Sequence, residues 1–100
     1  GLFTIWRGDK NIPEGRPKPN SIWLGFSRDG YHWDRPVRQP FIDVSERKGD
    51  WNWGNVQSVG AGCLVVGDRL YFYASGRRGG PAEFPDGDGC TGLATLRRDG

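Results

Sequence analysis

Glycine and proline interrupt this chain so often that no stretch free of both is longer than eight residues. The two longest such stretches are Phe41–Lys48 and Asp68–Ser75. An average α-helix has about 11–12 residues, and an interior Gly or Pro costs it roughly 1 or 3 kcal/mol. The apolar runs between the breaks are short and rich in aromatic and β-branched side chains. The sequence therefore predicts an all-β protein of short strands joined by turns.

The predicted strands follow these apolar runs. The clearest pair is a hairpin in which Cys63–Val66 and Leu70–Ser75 flank the turn residues Gly67 and Asp68. A short return strand at Tyr31–Trp33 is also predicted. The remaining predicted strands are Leu2–Arg7, Ser21–Ser27, Phe41–Val44 and Leu93–Leu96.

Two segments of the chain recur in the same order. Leu2–Gly8 aligns with Leu70–Gly76 at an offset of 68 residues, and Trp23–Gly30 aligns with Leu93–Gly100 at an offset of 70. A period near this length fits a large four-stranded antiparallel blade of a β-propeller. The chain is thus predicted to be a single partial propeller unit of about one and a half to two blades. Residues 2–44 supply strands of the first blade and residues 51–100 supply strands of the second.

Such a unit lacks the innermost strand of its first blade and the outermost strand of its second. The strand Leu2–Arg7 would then have an unpaired apolar edge, which soluble proteins avoid. Either the chain is a segment of a longer protein, or copies associate through their blade edges. The second alternative predicts a homo-oligomer that closes into a ring.

The balance of charge argues against some classes of partner. The net charge is only +2, from 14 basic and 12 acidic residues, so no nucleic-acid partner is predicted. The apolar runs are far too short to span a membrane, and no fingerprint for a cofactor is present. Cys63 lies in an apolar run, where a buried thiol is expected; a bridge to Cys90 or a shared metal are the alternatives. Without a CxxC motif or a His pair, no metal site is predicted.

Three segments carry a resemblance to a known group of enzymes: SIWLGFSRDGYHW (21–33), GCLVVGDRLYFYASGR (62–77) and TGLATLRRDG (91–100). They resemble the five-bladed propellers of glycoside hydrolase families 32, 43 and 68, and most closely the bacterial proteins grouped with family 32. The resemblance implies the scaffold of a sugar-cleaving enzyme, and is compatible with an extracellular or periplasmic location without fixing it. Ser27, Asp29, Gly30 and Trp33 also resemble the Asp-box of sialidases, which implies that Asp29 and its repeat mate Asp99 stabilise turns.

The catalytic motifs of that group are missing. Glycosidases need two carboxyl groups around the scissile bond, and the family-32 type carries them in W-M-N-D-P-N, R-D-P and E-C motifs. None of these strings occurs, and Arg28-Asp29 is followed by Gly30. No catalytic residue is therefore assigned, and whether the protein is an enzyme stays open. Two functions remain: carbohydrate binding or hydrolysis at the mouth of the propeller channel with an incomplete catalytic set, or a non-catalytic scaffold that assembles into a ring.

Two segments are predicted to reach the channel mouth, where propellers bind ligands. One is the approach to the innermost strand, where Trp rings offer apolar faces to a sugar and amides bind hydroxyls; packing between blades is the alternative for both Trp. The other is the loop after the second strand, whose charges suit a carboxylated or sulfated sugar; a merely solvated loop, or a cation bound by Asp86 and Asp88, are the alternatives. The predicted ligand-binding residues are Trp51, Trp53, Asn55, Gln57, Arg77 and Glu83, with Arg78, Asp86 and Asp88 beside the last two.

Overall fold

Six β-strands make up the regular structure in the part of the chain that the computed structural model describes, residues 1–8, 10–60, 62–79 and 88–99. No helix occurs among these residues, so none of them forms a helix that could cross a membrane. The all-β class predicted from the spacing of Gly and Pro is confirmed. The strands are β1 (Leu2–Trp6), β2 (Asn20–Leu24), β3 (Asn55–Val59), β4 (Leu64–Val66), β5 (Arg69–Arg77) and β6 (Gly89–Arg97).

The first sheet consists of β1 and β2, which pair antiparallel with Leu2 opposite Leu24. On the far side of β2, Ile22 forms an isolated antiparallel bridge with Ile42. The predicted segment Phe41–Val44 therefore contributes a single bridge to this sheet. The return strand predicted at Tyr31–Trp33 does not form, and an isolated bridge lies one residue further on, between Phe26 and Asp34.

The second sheet has β5 at its centre, with β6 along one side and both β3 and β4 along the other. The regular pairing along this second side breaks between β3 and β4, because Val59 lies opposite Ala74 while Leu64 already lies opposite Tyr71. Strand pairing thus begins at Asn55, well before the predicted start at Cys63. Asn55 and Gln57, which were expected on the approach to the strand, lie within β3.

The core lies between the two sheets. Along β5, the buried residues Phe72, Ala74 and Gly76 alternate with the exposed Tyr73 and Ser75, the two-residue period of a strand with one buried face. We call the face that carries Phe72 and Ala74 the core face and the opposite one the outer face. The residues that form the core cluster are Ile22, Ile42, Val56, Phe72 and Ala74, and Phe41 packs edge-on against Phe72 with ring centroids 5.1 Å apart.

The aligned repeats face each other across this core. Thr4 donates a hydrogen bond to the carbonyl oxygen of Gln57 in β3 (2.5 Å), so its face of β1 is turned to the second sheet. The residue aligned with Thr4 at an offset of 68 is Phe72, which is turned to the first sheet. Rotation from one propeller blade to the next would turn such equivalent residues in the same sense. The aligned strands are therefore related as two sheets that face each other.

Candidate functional site

Trp51 packs against two glycines of the second sheet. A Cβ atom added at Gly76 would lie only 2.6 Å from Cζ3 of the Trp51 ring, and one added at Gly92 would also collide with it. The carbonyl oxygen of Trp51 accepts a hydrogen bond from the Sγ of Cys90 (3.0 Å). Trp51 therefore fills a position in the core between the sheets, and its predicted contact with a sugar stays a prediction.

Trp53 is only 5% exposed. Arg16 and Lys48 each place a cation over its ring, 5.3 and 5.6 Å from the ring centroid. Arg16 also donates through Nε to the carbonyl oxygen of Trp53 (2.8 Å). Cation–π contacts of this kind stabilise the packing of a loop, and a sugar that stacked on this ring would have to displace one of the two cations.

The two predicted site segments meet at one end of the second sheet. Asn55 lies directly opposite Arg77 across the β3–β5 pair, and Arg77 lies opposite Gly89 across the β5–β6 pair. Asp88, which precedes β6, accepts a hydrogen bond through Oδ1 from the guanidinium of Arg77 (2.8 Å). The beginning of β3, the end of β5 and the beginning of β6 thus bring an amide, a guanidinium and a carboxylate together. We call Asn55, Arg77 and Asp88 the sheet-end site.

Burial sets Asn55 and Asp88 apart from residues of a solvated loop. Asn55 and Asp88 are each 3% exposed, while the side chain of Arg77 is 41% exposed. Asn55 donates a long hydrogen bond through Nδ2 to the carbonyl oxygen of Lys18 (3.4 Å). Its Oδ1 and the Oδ2 of Asp88 are buried and have no hydrogen-bond partner among the described residues. An unpaired buried acceptor costs about 1–3 kcal/mol, so a donor that reached either oxygen would gain that energy.

The remaining predicted site residues lie apart from this group or cannot be placed. Gln57 is exposed at an irregularity in the β3–β5 pairing, and its carbonyl oxygen accepts the hydrogen bond from Thr4. Glu83 and Asp86 lie outside the described residues. Sequence reasoning named Asp88 only as a neighbour of the site, although it is the buried carboxylate there. A DGDG stretch gave no sign of which Asp would be buried.

The Asp-box-like turn forms as the sequence predicts. Oδ1 of Asp29 accepts hydrogen bonds from the backbone N–H groups of Tyr31 and His32 (both 2.8 Å), and Gly30 adopts a φ of +81°. Hydrogen bonds from the backbone and then the side chain of His32 lower the pKa of Asp29 well below its usual range. Asp29 is thus a turn residue, whereas Asp99 pairs with Arg97 (3.4 Å).

Arg16 anchors the loop between β1 and β2, a role that the sequence did not reveal. Its side chain is 4% exposed and donates to the carbonyl oxygens of Trp53 and Ser45 and to the carboxylate of Glu46 (2.8, 3.2 and 3.3 Å). Glu46 also binds Arg7 (2.6 Å), and this hydrogen bond, with the charge of Arg16, lowers the pKa of Glu46. A single Arg between Gly and Pro carries no pattern that would have predicted these contacts.

Both cysteines are free thiols. Cys63 is exposed, which corrects the expectation of a buried thiol: the pairing of β4 begins only at Leu64, so this residue lies outside the strand. Burial raises the pKa of the partly buried Cys90. Over the described residues, no three His, Cys, Asp or Glu side chains come together as a metal site.

Comparison of the chain with protein-family models, with curated proteins and with solved structures found no match. The resemblance to propeller glycosidases thus stays a prediction from the sequence.

Proposed function

We propose that the chain is a carbohydrate-binding module and that its sheet-end site binds the sugar. One observation supports this above the others: two buried side-chain oxygens, Oδ1 of Asn55 and Oδ2 of Asp88, have no partner among the described residues, next to the half-exposed Arg77. Sugar hydroxyls are donors and acceptors at once. They can donate to the two oxygens and accept from the guanidinium, which satisfies all three groups together.

The proposed activity is binding without hydrolysis. Both stereochemical routes of glycoside hydrolysis use two carboxyl groups, about 5–5.5 Å apart when configuration is retained and about 6.5–9.5 Å apart when it is inverted. Asp88 is the carboxylate that the described residues bring to the site, and it is already paired with Arg77. A carboxylate held in this way by a guanidinium is placed to accept hydrogen bonds from sugar hydroxyl groups.

The proposal includes a propeller-type arrangement of the two sheets. The strand order supports it, because β3 with β4, then β5 and then β6 lie in this order across the second sheet, like the first three strands of a blade. The inward orientation of both Thr4 and Phe72 counts against a blade repeat of 68 residues. The recurrence of sequence motifs at this offset therefore does not determine how the two sheets are arranged.

A self-assembling scaffold is the second candidate function. The specific observation in its favour is apolar exposure on the second sheet, where Leu64, Val66, Tyr73 and Leu93 are each 46–57% exposed. Tyr73 and Leu93 lie directly opposite each other on the outer face. Contiguous exposed apolar residues mark interaction surfaces.

The sugar-binding proposal is tested by titrating the chain with fructo-, arabino- and xylo-oligosaccharides, followed by calorimetry and by amide NMR shifts. At least one sugar should bind, and Arg77→Gln and Asp88→Asn should each weaken it tenfold or more. Arg97→Gln is the matched control, because Arg97 lies in the same sheet at the end of β6 remote from Asp88. It should leave the affinity unchanged.

Two results would overturn the proposal. One is the absence of binding to all three sugars; the other is an equal loss of affinity in Arg77→Gln and Arg97→Gln, which would place the sugar elsewhere. Release of reducing sugar by the wild-type chain, abolished in Asp88→Asn, would refute its non-catalytic part.

A further inference from the structure

No other described strand pairs with the edge of β6 that faces away from β5. The N–H of Gly60 donates to the carbonyl oxygen of Tyr73 (3.0 Å), so the backbone groups of Tyr73 point toward the β3 side. Those of its neighbour Ala74 point the other way, to β6, because direction alternates along a strand. Ala74 pairs with Gly92, so the N–H and C=O of Leu93 point away from the sheet.

We propose that this edge pairs with the same edge of a second copy of the chain, antiparallel, about a two-fold axis at Leu93. The backbone N–H and C=O groups that point away from the sheet belong to Gly89, Thr91, Leu93, Thr95 and Arg97, a set that is symmetric about Leu93. A two-fold axis there keeps all nine residues of β6 in register, and any other centre leaves some of them unpaired. About ten backbone hydrogen bonds would join the two strands.

The side chains are self-complementary in this register. Leu93 lies opposite Leu93 of the second copy, and Thr91 lies opposite Thr95, an apolar and a hydroxyl pair of the kinds that stabilise antiparallel strands. Just beyond the paired strands, Asp88 lies opposite the Arg98 of the second copy. No like charges are opposed within β6, because Arg97, its one charged residue, lies opposite Gly89.

β6 also lacks the features that protect a sheet edge. Natural edge strands are shortened, bulged, or marked by Lys or Pro. β6 has nine residues without Lys or Pro, and its pairing with β5 runs without a break from Arg97 to Gly89. The opposite edge of the sheet is interrupted between β3 and β4, and β1 has only five residues.

This pairing makes the scaffold alternative specific and does not depend on sugar binding. A two-fold contact closes with two copies, so it predicts a dimer where the edge arguments from the sequence predicted a ring. Because the edges of two strands bury a small area, we expect a dissociation constant in the micromolar range, at the weak end of specific interfaces.

Charge swaps at Leu93 test the pairing, since this residue would meet itself at the axis. The wild-type chain should sediment as a dimer at about 100 μM, while Leu93→Lys and Leu93→Glu should each be monomeric. An equimolar mixture of the two variants should recover the dimer, because opposite charges then meet at the axis. Tyr73→Lys is the matched control, since Tyr73 is directly opposite Leu93 on β5 and equally exposed, at 46%. It should leave the dimer intact, because it lies one strand further from the axis.

A monomeric wild-type chain would overturn the proposal and leave sugar binding standing. An oligomer that survives both Leu93 variants would overturn the β6 register while keeping self-assembly. Loss of the dimer in Tyr73→Lys as well as in the Leu93 variants, without recovery on mixing, would show that the outer faces stack instead.

Discussion

Replacing Gly92 with alanine should destabilise the fold, because the Trp51 ring occupies the space that the new methyl group needs. Gly92 lies within β6 on the core face, opposite Ala74. A Cβ atom built there collides with the Trp51 ring, whereas one built at Gly89 has nothing within 4 Å. The two substitutions are chemically identical and lie in the same strand, so their difference isolates the contact with Trp51.

The expected size follows from two opposing effects. Overpacking a core position costs about 1–3 kcal/mol, and replacing Gly within a strand returns roughly 0.5–1 kcal/mol of backbone entropy. The net loss for Gly92→Ala is therefore about 0–2.5 kcal/mol, centred near 1 kcal/mol, and each kcal/mol lowers the melting temperature of a chain this size by about 4–8 °C. Gly89→Ala should be neutral or slightly stabilising.

Urea denaturation followed by circular dichroism measures both variants and a third, Trp51→Ala. Loss of the half-buried ring should cost about 2–3 kcal/mol, less than the 3–5 kcal/mol typical of fully buried aromatic residues. In the double variant with Gly92→Ala the collision is gone, so the second substitution should be neutral or slightly stabilising, as at Gly89; the coupling then equals the overpacking cost of about 1–3 kcal/mol. Equal stability of Gly92→Ala and Gly89→Ala would refute the packing of Trp51 and restore its availability to a ligand.

Three further predictions follow from the contacts described above. The ionised carboxylate of Asp29 holds its turn, and the pKa of Asp29 is lower in the folded than in the unfolded chain. Protection of the turn amides, measured by hydrogen exchange, should therefore persist above about pH 4 and fall at lower pH. Asp29→Asn should remove this pH dependence. Arg16→Lys should cost about 1–3 kcal/mol in urea denaturation because an ammonium cannot reproduce the fork of hydrogen bonds, whereas Glu46→Gln, at an exposed carboxylate, should cost less than about 1 kcal/mol. A maleimide reagent at pH 7 should modify Cys63 rapidly and Cys90 only on unfolding; equal rates would contradict the burial of Cys90.

The strand content was predictable, but the strand ends were not, and glycine is the reason. Gly76, Gly89 and Gly92 read as turn residues in the sequence, so the strands around them were predicted to be short. In the structure β5 and β6 run through these positions for nine residues each. At Gly76 and Gly92 the missing Cβ makes room for Trp51, a residue far away in sequence. Local pattern cannot distinguish a glycine of this kind from one that forms a turn.

The location of the site was predictable from topology, and its burial was not. In an antiparallel sheet the beginning of β3 and the loop after β5 must share one end, so two segments chosen separately converge there. Which polar groups become buried depends on tertiary contacts, such as the one between Asn55 and the carbonyl of Lys18. The orientation of the aligned repeats likewise depends on how the sheets pack, which a sequence offset does not record.

Both proposals involve Asp88, so the coupling between sugar binding and dimerisation can be measured. In the proposed dimer the Arg98 of the second copy lies opposite Asp88, whose Oδ2 has no partner among the described residues and is also the oxygen proposed to bind a sugar hydroxyl. If both use that oxygen, sugar binding and dimerisation compete, and thermodynamic linkage ties the two effects to each other. Because the dimer contains two such sites, a saturating sugar should weaken the dimer by the square of the factor by which dimerisation weakens sugar binding at each site. Sedimentation with and without sugar measures the first factor, and titration of the monomeric Leu93→Lys variant against wild type measures the second. A sugar affinity identical in monomer and dimer would show that Arg98 and the sugar use separate groups, and the shared role of Asp88 would be withdrawn.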